Sequence, residues 1–138
     1  MTQRHIHITD RDMRRLRDLL LAAEDPLGKD RPYLESLRAE LDRANIVASE
    51  VINGDVVTMN STVRVRERDT GRTATLTVVF PESADAAADR ISVIAPLGSA
   101  LLGYRAGDRV SFRAPGGRRE CEIEEVVYQP EAAGDLHL

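Results

Sequence analysis

Tryptophan is absent from this 138-residue chain, and cysteine and lysine each occur once, as Cys121 and Lys29. One cysteine cannot close an internal disulfide, so an oxidising compartment gains no support. Aromatic side chains are equally sparse: Tyr33, Phe80, Tyr104, Phe112 and Tyr128. That is too few for a platform on which single-stranded bases stack. No apolar run approaches the roughly 18 residues that span a bilayer. The start, Met1-Thr2-Gln3-Arg4-His5, also lacks the apolar core of a secretion signal. A cytoplasmic protein with no membrane partner is expected. There is no surplus of positive charge either, since 19 basic residues face 23 acidic ones for a net charge of −4. Phosphate neutralisation drives most nucleic-acid affinity, so this balance sets aside a dedicated DNA or RNA binder.

What is present is an ordinary globular composition, 42% hydrophobic and 30% charged, sized for one domain or one domain with a small appendage. The first half has helical periodicity. Thr9 precedes Asp10-Arg11-Asp12 and reads as an N-cap with carboxylates in the first turn. Met13, Leu16 and Leu20 then form one apolar stripe, and Leu34, Leu37, Leu41 and Ala44 a second. Proline and glycine in the stretch Glu24 to Arg31 interrupt the pattern, and Pro32 suits the first turn of the second helix. Two such stripes across a short turn predict an antiparallel helical hairpin over residues 1–50. A first helix of roughly 15 residues spans only ~22 Å and is too short to be stable alone. It must lean on the second half.

From Val51 onward the period changes to two. Val56-Val57-Thr58-Met59 is a β-prone run, and Val63 and Val65 alternate with Arg64 and Arg66. Thr73 to Phe80 reads as a strand that Pro81 stops, and Ala84 to Asp89 as a loop or a single helical turn. Ile91 to Ile94 leads into a short helix from Pro96, closed by Gly103. Val110 to Arg113 and Glu120 to Tyr128 read as a hairpin turning at Pro115-Gly116-Gly117. Residues 51–138 are therefore expected to form a small, mostly antiparallel α+β unit, and the tail from Gln129 carries no strong signal.

One ordered set of features in the second half is specific. Ile91-Ser92-Val93-Ile94-Ala95-Pro96-Leu97-Gly98-Ser99-Ala100-Leu101-Leu102-Gly103 is followed by Gly107-Asp108-Arg109-Val110, Ala114-Pro115-Gly116-Gly117, Ile123 and Val127-Tyr128. This segment resembles the Gre-type transcription factors that bind RNA polymerase. Leu41-Asp42-Arg43-Ala44, Asp55 to Ser61 and Tyr128 to Asp135 resemble the short-armed regulator of nucleoside diphosphate kinase group within that family. The resemblance covers nearly the whole chain. It implies an α+β fold in which a short N-terminal coiled-coil arm joins a C-terminal FKBP-like antiparallel-sheet domain with a short helix. It also implies a partner: RNA polymerase, docked at its secondary channel, with DNA met only indirectly through the polymerase.

In the longer-armed cleavage factors, acidic residues at the hairpin tip help hold a metal ion that cleaves backtracked RNA. The corresponding tip here carries Glu24, Asp25 and Asp30, and such oxygens suit Mg²⁺. The arm is too short to project as far, so the expectation is occupation of the channel without cleavage, in competition with the cleavage factors. No catalytic residue, cofactor or resident metal is expected. The docking surface is assigned to Ile94-Ala95-Pro96-Leu97, the strand-to-helix corner that matches the family's polymerase-contacting loop. A proline and a leucine there offer a small preformed apolar knob.

Other residues carry blander readings. His5 and His7 lack a third metal ligand, and Ile6 and Ile8 between and beyond them predict an edge strand or packed arm. Cys121 shares strand parity with Ile123, a half-buried thiol with no base nearby in sequence. Ser92, Ser99 and Ser111 lack a nucleophile elbow. Prolyl isomerase is the enzyme alternative that the fold type raises, but its pocket is lined by aromatics, only four fall in this half, Phe112, Val110 and Tyr128 read as core positions, and fold alone does not give activity. A generic protein-interaction adaptor is the remaining class. Arg64, Arg66, Arg113, Arg118 and Arg119 are the arginines that could form a local basic patch.

Overall fold

The computed structural model describes residues 6–23 and 31–138. Chain order runs β1 (His7–Thr9), α1 (Asp10–Ala22), α2 (Arg31–Arg43), β2 (Asn45–Val47), β3 (Thr62–Glu67), β4 (Thr73–Val79), β5 (Arg90–Ser92), α3 (Pro96–Leu101), β6 (Arg109–Ala114), β7 (Gly117–Tyr128) and α4 (Pro130–Ala133). The α+β class expected from the sequence stands. Single 3₁₀ turns at Pro81–Ser83 and Ala86–Ala88 fill the link from β4 to β5.

Thr9 caps α1 as its position predicts, its Oγ1 accepting from the Asp12 N–H at 3.0 Å. Both hairpin helices are 13 residues long, so each spans about 20 Å. Their apolar stripes meet as expected. Leu16, Leu20, Leu37 and Leu41 are buried and belong to one cluster with Val63, Val78, Val93, Leu101 and Ile123 of the second half. The hairpin thus leans on the sheet along its length, and Arg17 to Asp42 (2.8 Å) ties the two helices at the surface. Ile6 and Ile8 are buried, and β1 pairs in parallel with β2. The sequence showed β1 as a packed arm; β2 follows α2 so closely that helical periodicity hid it.

The main sheet has strand order β5-β4-β3-β7-β6 and is antiparallel except for the β4–β5 pair. Two register shifts between β3 and β7 curl it, as an extra residue on one strand of a pair does. Glu124 is one of the extra residues, and its carboxylate takes Arg64 Nε at 3.2 Å and Arg66 Nε at 2.8 Å. β6 is an edge strand.

The β-prone run Val56 to Met59 is not a strand. Its residues are buried, but each N–H is taken elsewhere: Val56 by Asn53 O, Val57 by Tyr104 O, Thr58 by Ser61 Oγ and Met59 by the Asp12 carboxylate. The run is thus apolar and buried as its composition predicts, but irregular in backbone. Asn60 adopts φ 67°, a conformation asparagine tolerates, and turns the loop into β3.

Candidate functional site

The corner Ile94 to Leu97 is held by its neighbours on both sides. Val93 N–H bonds Val79 O (2.9 Å), continuing the strand pairing, and Ala95 N–H turns back to Ser92 O (3.0 Å). Ser92 Oγ accepts from Ile94 N–H at 3.2 Å. Pro96 then opens α3 at a position where its missing N–H costs nothing. Ile94 and Leu97 are half-buried and lean on the core from the corner. Pro96 is half-exposed. Two glycines set the approach distances. A Cβ on Gly98 would stand 2.2 Å from Ser92 O. One on Gly103, at φ 85°, would stand 2.7 Å from Ile6 Cβ. Gly103 therefore lets β1 pass directly over the end of α3, with His7 N–H on Gly103 O at 3.0 Å.

Beside this corner lies a groove of about 340 Å³ between the start of α2, the start of α3 and the β6–β7 hairpin. Ile94 and Pro96 form part of its wall.

Two polar nodes order this region, the first of which fastens the hairpin to the second half. Asp12, 1% exposed, accepts from Met59 N–H (2.9 Å) and pairs with Arg15. Arg15 in turn lies 5.0 Å above the Phe80 ring. Burial drives the Asp12 carboxyl upward, opposed by the Met59 and Arg15 contacts. Glu131 receives Thr58 Oγ1 at 2.7 Å, and its carboxyl is likewise raised first by burial. The second node is Gln129, 3% exposed. Its Nε2 donates to Asn53 O (2.7 Å) and Val56 O (2.8 Å), and its Oε1 caps α4 through Ala132 N–H (3.1 Å). The tail was read as featureless, yet Gln129 is the residue that closes the loop before β3. The Gln-Pro pair before a short acidic helix start was the available signal.

Of the residues singled out in the sequence, Glu24, Asp25 and Asp30 lie outside the described residues, as does His5. Among the described residues, no group of three histidine, cysteine or acidic side chains is placed to hold a metal ion. No described helix is long and apolar enough to cross a membrane. The strand arginines mostly face carboxylates. Arg64 meets Glu124 and Glu125, Arg66 meets Glu124, Arg68 meets Glu120 and Arg119 meets Glu67. This ladder neutralises the sheet surface, and an exposed pair of this kind is worth at most about 1 kcal/mol.

Cys121 is buried, and its thiol is pushed up to about 11, first by burial and then by the charges of Glu67 and Glu120. The thiolate is the reactive form. Native protein at pH 8 is therefore expected to leave a thiol-specific reagent unreacted, with stoichiometric modification appearing only in denaturant. Rapid labelling of the native protein would contradict the burial.

With this geometry in place, the chain can be set beside known proteins. Residues 52–128 match the family model "Transcription elongation factor, GreA/GreB, C-term". The chain belongs to the GreA/GreB transcription elongation factor family. A solved structure described as "Prokaryotic transcription elongation factor GreA/GreB from Nitrosomonas europaea" superposes with a TM-score of 0.73 at 41% identity, covering 91% of this chain and 100% of that one. Within the family it falls in the regulator of nucleoside diphosphate kinase group: residues 4–47 match the model "Rnk N-terminus". The "Regulator of nucleoside diphosphate kinase" of Escherichia coli (strain K12) is 43% identical over 139 residues, covering both chains completely. "Transcription elongation factor GreA" of Rhodopseudomonas palustris is 33% identical over 108 residues, 78% of this chain and 68% of that protein. These relatives are named as a regulator and as transcription factors.

Proposed function

We propose that the protein is a non-enzymatic transcription regulator that binds RNA polymerase at the secondary channel, through the Ile94–Leu97 corner, and competes there with cleavage-stimulating Gre factors. The observation that supports this reading best is the hairpin. Its helices have 13 residues each and give a reach of only about 20 Å, and both pack their stripes onto the sheet. An arm of that length, docked by the same corner, leaves the tip carboxylates Glu24, Asp25 and Asp30 short of a reaction centre that a much longer arm is built to reach. The reading divides the chain into an arm, residues 1–50, and a docking unit of FKBP-like type, residues 51–138; the matched stretches 4–47 and 52–128 support that division. An influence on nucleoside diphosphate kinase would follow indirectly, through transcription.

Transcript cleavage on purified backtracked elongation complexes tests the proposal. The protein alone is expected to release no cleaved RNA. Added to a cleavage-competent Gre factor, it is expected to inhibit, and Pro96→Ala with Leu97→Ala to abolish inhibition. Cleavage by the protein alone, removed by Asp25→Ala or Asp30→Ala, would make it a cleavage factor. Absence of any polymerase binding would leave the adaptor reading.

A further inference from the structure

The groove beside the corner departs from the rest of the surface in its charge. Register pairing puts Arg113 of β6 directly opposite Arg118 of β7, and both line the groove. Like charges directly opposite on a sheet are unfavourable. Neither guanidinium meets a carboxylate among the described residues, whereas Arg64, Arg66, Arg68 and Arg119 on the same sheet all do. Arg118 instead donates to Ser111 Oγ at 3.3 Å. Ser36, Ser99 and Ser111 line the same space. The groove's apolar lining includes Ile94, Pro96 and Tyr33, with Tyr33 39% exposed. Glu40, the one carboxylate lining the groove among the described residues, is engaged by Arg43 at 2.8 Å.

We propose that this groove binds a nucleoside phosphate, its phosphates held by Arg113, Arg118 and Ser111 and its base laid against Tyr33 and Pro96. Two arginines at paired register positions, with the Ser111 hydroxyl beside Arg118, match the oxygens of a diphosphate, because Arg–phosphate contacts are charge-assisted and often bidentate. A phosphate group there relieves the repulsion between the two arginines that the fold otherwise leaves unbalanced. The exposed phenol ring and the proline offer a flat apolar surface for a base, and base–aromatic stacking tolerates any base. Glu40 lies on the helix wall, where a carboxylate accepts from a ribose hydroxyl or a base amino group. A volume of about 340 Å³ is at the lower end of small-molecule sites. Ile94 and Pro96 also belong to the proposed docking corner, so an occupied groove would alter docking. That consequence rests on the polymerase reading; binding itself does not.

Calorimetric titration of the full chain with ADP, adenosine and inorganic pyrophosphate at low salt tests the proposal without polymerase. ADP is expected to bind saturably and to perturb the amide resonances of Tyr33, Ser99 and Arg113. Adenosine and pyrophosphate should each bind about tenfold more weakly or worse. Arg113→Gln and Arg118→Gln should each weaken ADP about tenfold or more, as loss of a charge-assisted hydrogen bond does, with melting unchanged or slightly raised, because both side chains are exposed and each change relieves the repulsion between them. Arg72→Gln, outside the groove, should leave binding as it was. No saturable binding of ADP, or binding indifferent to both groove arginines, overturns the site. Equal affinity for ADP and pyrophosphate overturns the nucleoside part, and equal affinity for ADP and adenosine the phosphate part.

Discussion

Gly98→Ala is expected to cost about 3 kcal/mol or more of folding stability and to distort the corner proposed to dock polymerase. The added Cβ would lie 2.2 Å from Ser92 O, 3.0 Å from Ser92 C and 3.2 Å from Val93 Cα. All three atoms are backbone, so no side-chain rotation relieves the clash. α3 must back away from β5, and three things sit on that junction. Val93 N–H reaches Val79 O, Ala95 N–H reaches Ser92 O, and Leu101, fully buried, anchors the helix to the core. Overpacking of well-filled interiors typically costs about 1–3 kcal/mol and more where nothing can yield, against a total stability of roughly 5–15 kcal/mol. Gly107→Ala isolates the steric part. Gly107 has φ 94° with no atom within 4 Å of a would-be Cβ, so alanine there carries only backbone strain of about 1–2 kcal/mol. Urea denaturation of the two variants distinguishes the causes. A Gly98→Ala protein no less stable than Gly107→Ala would show that the corner has slack, and a slack corner is a poor preformed knob.

The same junction explains what could be seen in the sequence. Pro96 opens a short helix and Gly103 closes it, so α3 and its ends were legible, whereas the close approach at Gly98 was not. So were β3, β4 and the β6–β7 hairpin, because period-two alternation and the Pro115-Gly116-Gly117 turn report local geometry. Thr9 and the two leucine stripes placed the hairpin for the same reason. The signal failed where partners are distant in the chain. Met59 bonds Asp12, 47 residues away, and Gln129 closes a loop 76 residues earlier at Asn53. A buried run whose N–H groups are claimed that way looks like a strand in a sequence, since both are apolar. β2 was hidden because its three residues pair with β1 in parallel, and no hairpin turn announces a parallel partner. Of the candidate site, the corner residues were legible as a motif. The like-charged pair Arg113 and Arg118 was noticed only as part of a scattered set, because cross-strand register decides which arginines find carboxylates.

Asp12 carries the second large effect, and its two obvious substitutions should behave differently. Asp12→Ala removes the acceptor for Met59 N–H and strands Arg15, whose Nε already lacks a hydrogen-bond partner. Leaving a buried N–H without its acceptor costs about 1–3 kcal/mol, and Arg15, 28% exposed, can turn to solvent; a loss toward the top of that range is expected in urea denaturation at pH 7. Asp12→Asn keeps an oxygen for Met59 while it removes the charge and the acceptor that Arg15 uses. Because burial outweighs the favourable contacts and raises the carboxyl above its ordinary 3.8, ionised Asp12 is held at a net electrostatic cost. The asparagine variant should therefore lose less than half as much as the alanine one. The sign of the pH dependence follows. A carboxyl raised on folding contributes stability that is fully present below 3.8 and is lost as pH rises through its folded value. The wild-type advantage over Asp12→Asn should thus be greatest in acid and shrink toward neutrality. Glu131, raised mainly by burial and partly by Asp12, adds a trend of the same sign in both proteins and largely cancels in the difference. If the advantage instead grew with pH, Arg15 would be outweighing desolvation. The hairpin would then be fastened to its sheet by charge, and salt rather than acid would be the condition that loosens it.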